Sequence, residues 1–325
     1  MVADIYLQTT IAVIWDFDKT LIPGYMQDPL FRYYNVDGNK FWREVNALER
    51  HLRREGNEMI ARDLLYLNHI LTYVRAGIFA GLNNELLRKL GSELEFYPGL
   101  PEFFQEVKRY VMEKGEFRKY DIKVEHYIVS TGLRQMILGS KIAPYVDGIW
   151  GCEFVELQMP PGYLEKRAAP DSQEEVTVKD IAYVIDNTTK TKAIFEINKG
   201  VNKNPAIDVN AHMPYEDRRI PFQNMIYIAD GPSDVPVFSL INQNGGRTFG
   251  VYAKGKREEF SQVNDLAKQG RIQSFGEANY NPDTQTYLWI MNAVDDIGNS
   301  IVKNRDWVLT HRLGKPPKHL EETEE

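Results

Sequence analysis

The sequence predicts an α/β fold in which a doubly wound parallel sheet carries an inserted all-helical domain. Short apolar runs recur at residues 11–15, 124–130, 225–229 and 248–252, and runs of this length indicate strands buried on both faces. Stretches with a helical period lie between these runs, and strands that alternate with helices are typical of βαβ units in a parallel sheet. The first run is followed by a long segment in which apolar residues recur only at helical spacing. This segment predicts an all-helical domain inserted after the first strand.

The same patterns predict the other elements of the core. Helices are expected at 100–112 and 192–197, between successive strands. After residue 253 we expect a further helix, a strand near 272–275 and a long helix over 284–302. Ligands bind beyond the carboxyl ends of the strands in such sheets, so the residues that follow each run are candidates for function.

The inserted segment covers residues 23–96. Apolar residues recur every three or four positions in 41–52 and again in 60–74, which predicts two helices that each bury one face. Gly56 and Asn57 separate the two stripes and indicate an antiparallel helical hairpin. Pro98 and Gly99 mark the return to the α/β pattern. We therefore assign 1–22 and 97–312 to the α/β core and 23–96 to a helical cap.

Two segments have neither pattern. Residues 151–188 are rich in loop signals, with short apolar stretches at 176–178 and 181–185 that resemble paired strands. We expect a β-hairpin flap there. The polar tail at 313–325 contains Pro316 and Pro317 and is predicted to be disordered.

Composition and charge exclude several classes of protein. With 43% hydrophobic and 26% charged residues, the chain is ordinary for a soluble globular protein. Its formal charge is 39 − 46 = −7, which argues against a nucleic-acid partner. A single cysteine, Cys152, rules out an intrachain disulfide and suits a reducing compartment. Without a secretory signal or an apolar run of about 18 to 20 residues, the chain is expected to be cytoplasmic with no membrane partner.

Reactive side chains follow three of the predicted strands. They are Asp16, Asp18 and Thr20 after the first, Ser130, Thr131 and Gly132 after the second, and Asp230 and Asp234 after the third. Parallel strands would bring the four carboxylates together at one edge of the sheet, where they could not all stay ionised without a counter-charge. A hard divalent cation such as Mg²⁺ resolves this conflict and leaves one carboxylate free to attack phosphorus as a nucleophile.

This set resembles the haloacid dehalogenase-like (HAD) superfamily of phosphatases, in its phosphoserine phosphatase-like branch. The resemblance covers the chain apart from the C-terminal tail. It consists of Asp-x-Asp-x-Thr after the first strand, a Ser or Thr after another, a Lys opening a helix, and paired Asp after a later strand. It implies a Rossmann-like core with a helical cap inserted between the first two motifs.

The register of the first motif identifies the nucleophile. The segment Asp18-Lys19-Thr20 also echoes the phosphorylation motif of cation-pumping ATPases, which require Thr four residues after the nucleophile. Four residues after Asp18 stands Ile22, whereas counting from Asp16 places Asp at +2 and Thr at +4. We therefore expect the phosphoryl group on Asp16.

The resemblance implies a role for each residue. Asp16 is the nucleophile and Asp18 the general acid and base, a residue that dehalogenating members generally lack. Mg²⁺ is expected on Asp16, the backbone carbonyl of Asp18, Asp230 and Asp234, although Asp234 could instead cap the helix that follows it. Thr20, Ser130 and the N–H of Thr131 or Gly132 are expected to bind the phosphate. Lys192, which precedes an apolar helical pattern, is predicted to be the motif lysine, with Lys190 as the alternative.

The function expected is Mg²⁺-dependent hydrolysis of a small phosphorylated metabolite through an aspartyl-phosphate on Asp16. Two alternatives stay open from the sequence. A phosphotransferase or phosphomutase would use the same intermediate, and a regulatory protein would bind phosphate without catalysis. Four cap residues are candidates to face the substrate: Tyr25, Arg32, Tyr33 and Arg75.

Overall fold

A seven-stranded sheet organises the part of the protein that a computed structural model describes, residues 7–157, 161–164 and 176–313. The strands are β1 Thr10–Trp15, β2 Lys123–Leu133, β3 Gly148–Val155, β4 Asp180–Tyr183, β5 Met225–Ala229, β6 Arg247–Tyr252 and β7 Ser274–Glu277. Their order across the sheet is β4-β3-β2-β1-β5-β6-β7. Every pairing is parallel except β3 with β4. The predicted fold class is confirmed.

Helices cover both faces of this sheet and form the insertion. They are α1 Asp28–Tyr33, α2 Gly38–Arg54, α3 Arg62–Arg75, α4 Asn84–Gly91, α5 Glu102–Glu113, α6 Gly115–Lys119, α7 Arg134–Gly139, α8 Thr189–Lys199, α9 Val235–Gln243, α10 Arg257–Lys268 and α11 Gln285–Leu313.

The central strand β1 shows why a short apolar run becomes a buried strand. Its residues from Ile11 to Trp15 are all fully buried. Ile11, Val13 and Trp15 belong to one apolar core, which also contains side chains of α5 and α11. Ala12 and Ile14 belong to a second core, with side chains of α8, α9 and α10. Burial on both faces needs an unbroken run of apolar residues, so the run predicted the strand.

The helical hairpin predicted in the insertion is present as α2 and α3. Asp37 caps α2 by accepting hydrogen bonds from the N–H groups of Asn39 and Lys40. The connection to α3 contains Gly56, whose φ of +90° a residue with a side chain rarely adopts.

The last inserted helix, α4, packs directly against α7 of the core. A Cβ atom on Gly91 would lie 2.0 Å from the carbonyl oxygen of Met136, and one on Gly139 would lie 1.8 Å from that of Arg88. Both glycines are therefore required where the two backbones cross. Through this crossing α4 is joined to the core, although it is part of the inserted sequence.

The flap predicted at 151–188 differs from the structure. Its first residues belong to β3, which lies inside the main sheet and pairs in parallel with β2. The stretch 181–185 overlaps β4, which pairs antiparallel with β3, whereas 176–178 forms no strand. β3 carries two glycines and several half-exposed residues, so it lacks the apolar run that revealed the other strands.

The predicted tail lies outside the described residues from position 314 onward. Among the helices that are described, none has the length and apolar character needed to cross a bilayer.

Candidate active site

The carboxyl ends of β1 and β5 lie side by side at one edge of the sheet, next to the second half of β2. Trp15, the last residue of β1, pairs with Ile128 of β2 on one side and Ile228 of β5 on the other. The N–H of Asp16 continues the ladder and donates to the Ile228 carbonyl at 2.9 Å. The residues predicted to act together are thus brought to one edge.

Three of the predicted carboxylates form a compact group. Asp16, Asp230 and Asp234 each place one carboxylate oxygen within 4.8 Å of the others. Oxygen ligands so arranged suit a hard divalent cation such as Mg²⁺, so this donor set fits the metal that the sequence predicts. The side chain of Asp18 lies outside the group, and its Oδ1 accepts a hydrogen bond from the N–H of Met26 at 2.9 Å.

The lysine at this site is Lys190, and the prediction of Lys192 is wrong. The Nζ atom of Lys190 lies 2.7 Å from Oδ1 of Asp16 and 2.6 Å from Oδ1 of Asp234. Its side chain is 1% exposed. Lys192 is 49% exposed and lies 3.4 Å from Glu196. Two residues along a helix correspond to a rotation of about 200°, so the two lysines point in nearly opposite directions.

The start of α8 explains the error. The carboxylate of Asp186 accepts hydrogen bonds from the N–H groups of Thr188 and Thr189, at 2.8 and 2.6 Å. These bonds start the helix at Thr189, three residues before the predicted start. Lys190 therefore occupies the first turn and faces the site.

Asp234 is held by several donors. Its Oδ1 accepts from Lys190 and, at 2.5 Å, from the hydroxyl of Tyr227, while Oδ2 accepts from Ser233 at 2.7 Å. Asp234 thereby orients Lys190 toward Asp16. Tyr227 was not predicted, because within the apolar run of β5 it reads simply as a buried strand residue.

Burial raises the pKa values of Asp16 and Asp18, the two acids of the first motif, to different extents. It raises the pKa of Asp16 to about 6, against the opposing effect of Lys190. Burial, together with the charge of Asp16, raises the pKa of Asp18 to about 8. At neutral pH the first carboxyl is then mostly ionised and the second mostly protonated, as a nucleophile and an acid need to be. The pKa of Asp230 is raised as well, mainly by burial and in addition by the negative charges of Asp16 and Asp234.

The residues predicted to bind phosphate lie in the first motif and in the last part of β2. Thr20 is fully buried and its hydroxyl donates to Oδ2 of Asp16 at 3.2 Å. Ser130 is also buried, and its Oγ accepts from the N–H of Gly132 at 3.0 Å. The carbonyl of Thr131 accepts from the hydroxyl of Tyr66, which belongs to α3.

Two residues of the insertion reach the site without having been predicted. Met26 packs on Gly132, where a Cβ would lie 2.2 Å from its Cε, and its sulfur accepts from the N–H of Leu133 at 3.0 Å. Tyr66 contacts Thr131 at 2.6 Å. Tyr66 lies off the apolar stripe of its helix, and no local pattern distinguishes Met26. The insertion thus contacts the end of β2 through these two side chains.

The four cap residues that the sequence predicted to face the substrate are more exposed than Met26 and Tyr66. Tyr25 and Arg32 line a pocket of about 330 Å³ beside the first motif, together with Glu93 and Glu95. Tyr33 and Arg75 are exposed. Of the four, Tyr25 and Arg32 therefore stay candidates for contact with a ligand.

Among known proteins, one relative matches this chain along most of its length. No family model matches it. Over 290 residues the chain is 42% identical to an uncharacterized protein of Borreliella burgdorferi, a match that covers 88% of this chain and 97% of that protein.

Solved structures match it at low identity. A HAD family hydrolase from Salmonella enterica is 13% identical, with a TM-score of 0.48, over 82% of this chain and 66% of that one. A probable phosphoserine phosphatase from Vibrio cholerae is 12% identical, with a TM-score of 0.47, over 91% and 68%. A phosphoserine phosphatase with a phospho-aspartyl intermediate analogue is 14% identical, with a TM-score of 0.41, over 82% and 92%.

Proposed function

We propose that the chain is a haloacid dehalogenase-like, Mg²⁺-dependent phosphohydrolase that forms an aspartyl-phosphate on Asp16. One observation carries this proposal. Asp16 is buried beside Asp230, is ion-paired with Lys190, and lies two residues from an acid that the N–H of Met26 holds in place.

The proposed reaction has two steps. A carboxylate oxygen of Asp16 attacks phosphorus and forms an O–P bond while the bond to the leaving oxygen breaks. Asp18 gives its proton to that oxygen, then takes a proton from the water that attacks the phosphoenzyme. The second step releases inorganic phosphate and restores both carboxyl groups.

The surrounding residues stabilise the charges of this reaction. Lys190 keeps Asp16 anionic and, with Thr20 and Ser130, lies where it can donate to phosphoryl oxygens. Asp16, Asp230 and Asp234, with the backbone carbonyl of Asp18, would hold Mg²⁺. When bound, the metal offsets the repulsion between the nucleophile and the phosphate.

The proposed substrate is a small phosphorylated metabolite rather than a nucleic acid or a membrane component. Met26 and Tyr66 contact Leu133 and Thr131 at the end of β2, and this proximity of the insertion favours a small substrate over a bulky partner. Opening of the cap would admit the substrate and its closure would exclude bulk water.

Hydrolysis of p-nitrophenyl phosphate tests the proposal. The wild type should turn it over with MgCl₂ and lose activity with EDTA. Asp16→Asn should lower turnover by more than about 10³-fold, because the nucleophile is removed. Asp265→Asn, an exposed aspartate on α10, is the matched control and should match the wild type. If Asp16→Asn keeps wild-type turnover, the proposal is wrong.

Solvent labelling separates hydrolysis from transfer. In H₂¹⁸O a hydrolase incorporates one labelled oxygen into each inorganic phosphate released. Unlabelled phosphate transferred to an added alcohol or sugar would instead identify a phosphotransferase or a mutase.

A further inference from the structure

Met26 contacts two separate parts of the site. Its backbone N–H donates to Oδ1 of Asp18 at 2.9 Å, and its sulfur accepts from the N–H of Leu133 at 3.0 Å. Its side chain is fully buried. One residue of the insertion thus joins the first motif to the end of β2, although the reaction proposed above gives its side chain no role.

The side chain of Met26 fits into space that only a glycine leaves. A Cβ atom on Gly132 would lie 2.2 Å from Cε of Met26 and 2.6 Å from its sulfur. The unbranched thioether of methionine can follow such a narrow surface, and its sulfur gives the buried N–H of Leu133 an acceptor. The side chain is therefore docked on β2 both by packing and by a hydrogen bond.

This docking limits where the N–H of Met26 can lie. The N–H of Lys19 donates to the carbonyl of Gly24 at 3.2 Å, which turns the chain back after the first motif. Met26 follows that turn and lies in neither a helix nor a strand. Because regular structure does not fix Met26, the contacts of its side chain with Gly132 and Leu133 hold its backbone in place.

The position of this N–H matters for the acid. With Oδ1 of Asp18 accepting from Met26, Oδ2 is the oxygen left to carry the proton for the leaving group. A misplacement of about 1 Å can lower the rate of an enzyme by about 10²-fold. The side chain of Met26 is thus placed to determine how well Asp18 serves as the acid.

We propose that Met26 is a positioning residue, whose side chain docks on the end of β2 and thereby holds its own N–H on Asp18. The direction of the acid then depends on the docking of the first residues of the insertion. Met26 acts through Asp18 rather than on the reacting atoms. This inference rests on the proposed function and adds to it the residue that directs the acid.

Leaving groups of different acidity test this role. Phenyl phosphate releases a weakly acidic phenol and needs a proton from Asp18, whereas 2,4-dinitrophenyl phosphate releases a stable phenolate and needs little help. The measured quantity is the ratio of kcat/KM for phenyl phosphate to kcat/KM for 2,4-dinitrophenyl phosphate, with MgCl₂ present. Met26→Ala should lower this ratio about tenfold or more, while kcat/KM for 2,4-dinitrophenyl phosphate stays within about threefold of wild type.

Two further substitutions at this position grade the effect. Met26→Leu keeps much of the apolar bulk but cannot accept from Leu133, so its ratio should lie between those of wild type and Met26→Ala. Met26→Val removes less of the side chain than Met26→Ala does. It should lower the ratio in the same direction, and it measures the effect if Met26→Ala does not fold.

A second methionine provides the matched control. Met225 is as fully buried as Met26, but it begins β5 at the end away from Asp230. Met225→Ala should therefore lose stability in urea unfolding while its ratio stays within about twofold of wild type.

A double-mutant cycle shows whether Met26 acts through Asp18. Asp18→Asn removes the acid, so adding Met26→Ala to it should change the ratio by less than about twofold.

Three results would overturn the proposal: a wild-type ratio in Met26→Ala or Met26→Val, an equal fall in Met225→Ala, or a further fall of about tenfold when Met26→Ala is added to Asp18→Asn. The second would show a general effect of lost stability, and the third a route that bypasses Asp18. Failure of the proposed function would appear elsewhere, as p-nitrophenyl phosphate hydrolysis that survives in Asp16→Asn.

Discussion

Two clusters of buried polar groups border β1, and burial has opposite consequences in them. The charged cluster is Asp16, Lys190 and Asp234. The neutral cluster is Trp15 and His126, where the indole N–H donates to Nδ1 of His126 at 3.3 Å and Nε2 lies 3.1 Å from the carbonyl oxygen of Phe104.

The difference lies in the charges that each cluster contains. Lys190 lies within hydrogen-bond distance of both carboxylates of the charged cluster, and its charge favours the ionised form of Asp16 away from water. Burial, with a further contribution from Lys108, lowers the pKa of His126 to about 3, so the ring stays neutral. A buried group keeps its charge only where a counter-charge accompanies it.

The largest effect expected is on catalysis, at Asp18 next to the charged cluster. Asp18→Asn should lower turnover of p-nitrophenyl phosphate by about 10²- to 10⁴-fold, because the general acid and base is lost. Stability at neutral pH should change little, since the raised pKa of Asp18 means that the native carboxyl is already mostly uncharged there. Steady-state kinetics and urea unfolding measure the two effects. Turnover within about threefold of wild type would reassign the acid–base role.

Removing the counter-charge should convert the charged cluster into a destabilising one. Lys190→Met should lower the free energy of unfolding by about 3–5 kcal/mol, because it leaves buried carboxylates without their partner. Urea unfolding in EDTA measures this without interference from a bound cation.

Lys192→Met is the matched control for that change. Its partner is a surface contact with Glu196, so the free energy of unfolding should stay within about 0.5 kcal/mol of wild type. Equal losses in the two variants would contradict the assignment of Lys190 to the site.

A steric change away from both clusters provides a loss of stability with which the losses above can be compared. Gly139→Ala forces a methyl group onto the carbonyl of Arg88 and should cost about 1–3 kcal/mol of stability. Gly115→Ala, at a position with no neighbour within 4 Å, should instead gain about 0.5–1 kcal/mol. Thermal and urea unfolding of both variants decide this. A neutral Gly139→Ala would mean that the crossing of α4 and α7 relaxes easily.

The effect that is smallest at pH 7, and that grows as pH falls, concerns the neutral cluster. His126 is buried uncharged with a pKa of about 3, whereas the unfolded chain takes up this proton near pH 6.5. Between these values the unfolded state binds more protons, so stability falls as pH falls, by up to about 1.4 kcal/mol per pH unit. His126→Gln should lack this contribution. Urea unfolding at pH 7, 6, 5 and 4 compares the slopes, and identical slopes would show that His126 is not the responsible group.

Most of the fold could be predicted from the sequence because its elements bury simple patterns. β1 and β5 are continuous apolar runs, and α2 and α3 each have an apolar stripe. β3 escaped prediction because glycines and half-exposed residues interrupt its pattern. Local pattern is informative only where burial is uniform along an element.

The site was predictable where its chemistry lies at the ends of strands. Asp16, Asp230 and Asp234 come together because parallel strands end at one edge. The choice between Lys190 and Lys192 depended on where a helix starts, and a shift of two residues reverses the direction of a side chain. Contacts such as that of Tyr66 with Thr131 join distant parts of the chain, and no spacing in the sequence reveals them.

The crossing of α4 and α7 has a consequence for exchanging the inserted helices between related proteins. Because Gly91 and Gly139 fit against backbone atoms, a graft that replaced α4 would need a matching α7 as well. The hairpin of α2 and α3, by contrast, contacts Thr131 of β2 through a side chain, that of Tyr66. A chimera that takes only α2 and α3 from a relative, joined on either side of Gly38–Arg54 and Arg62–Arg75, could therefore acquire a new specificity while retaining its own catalytic core.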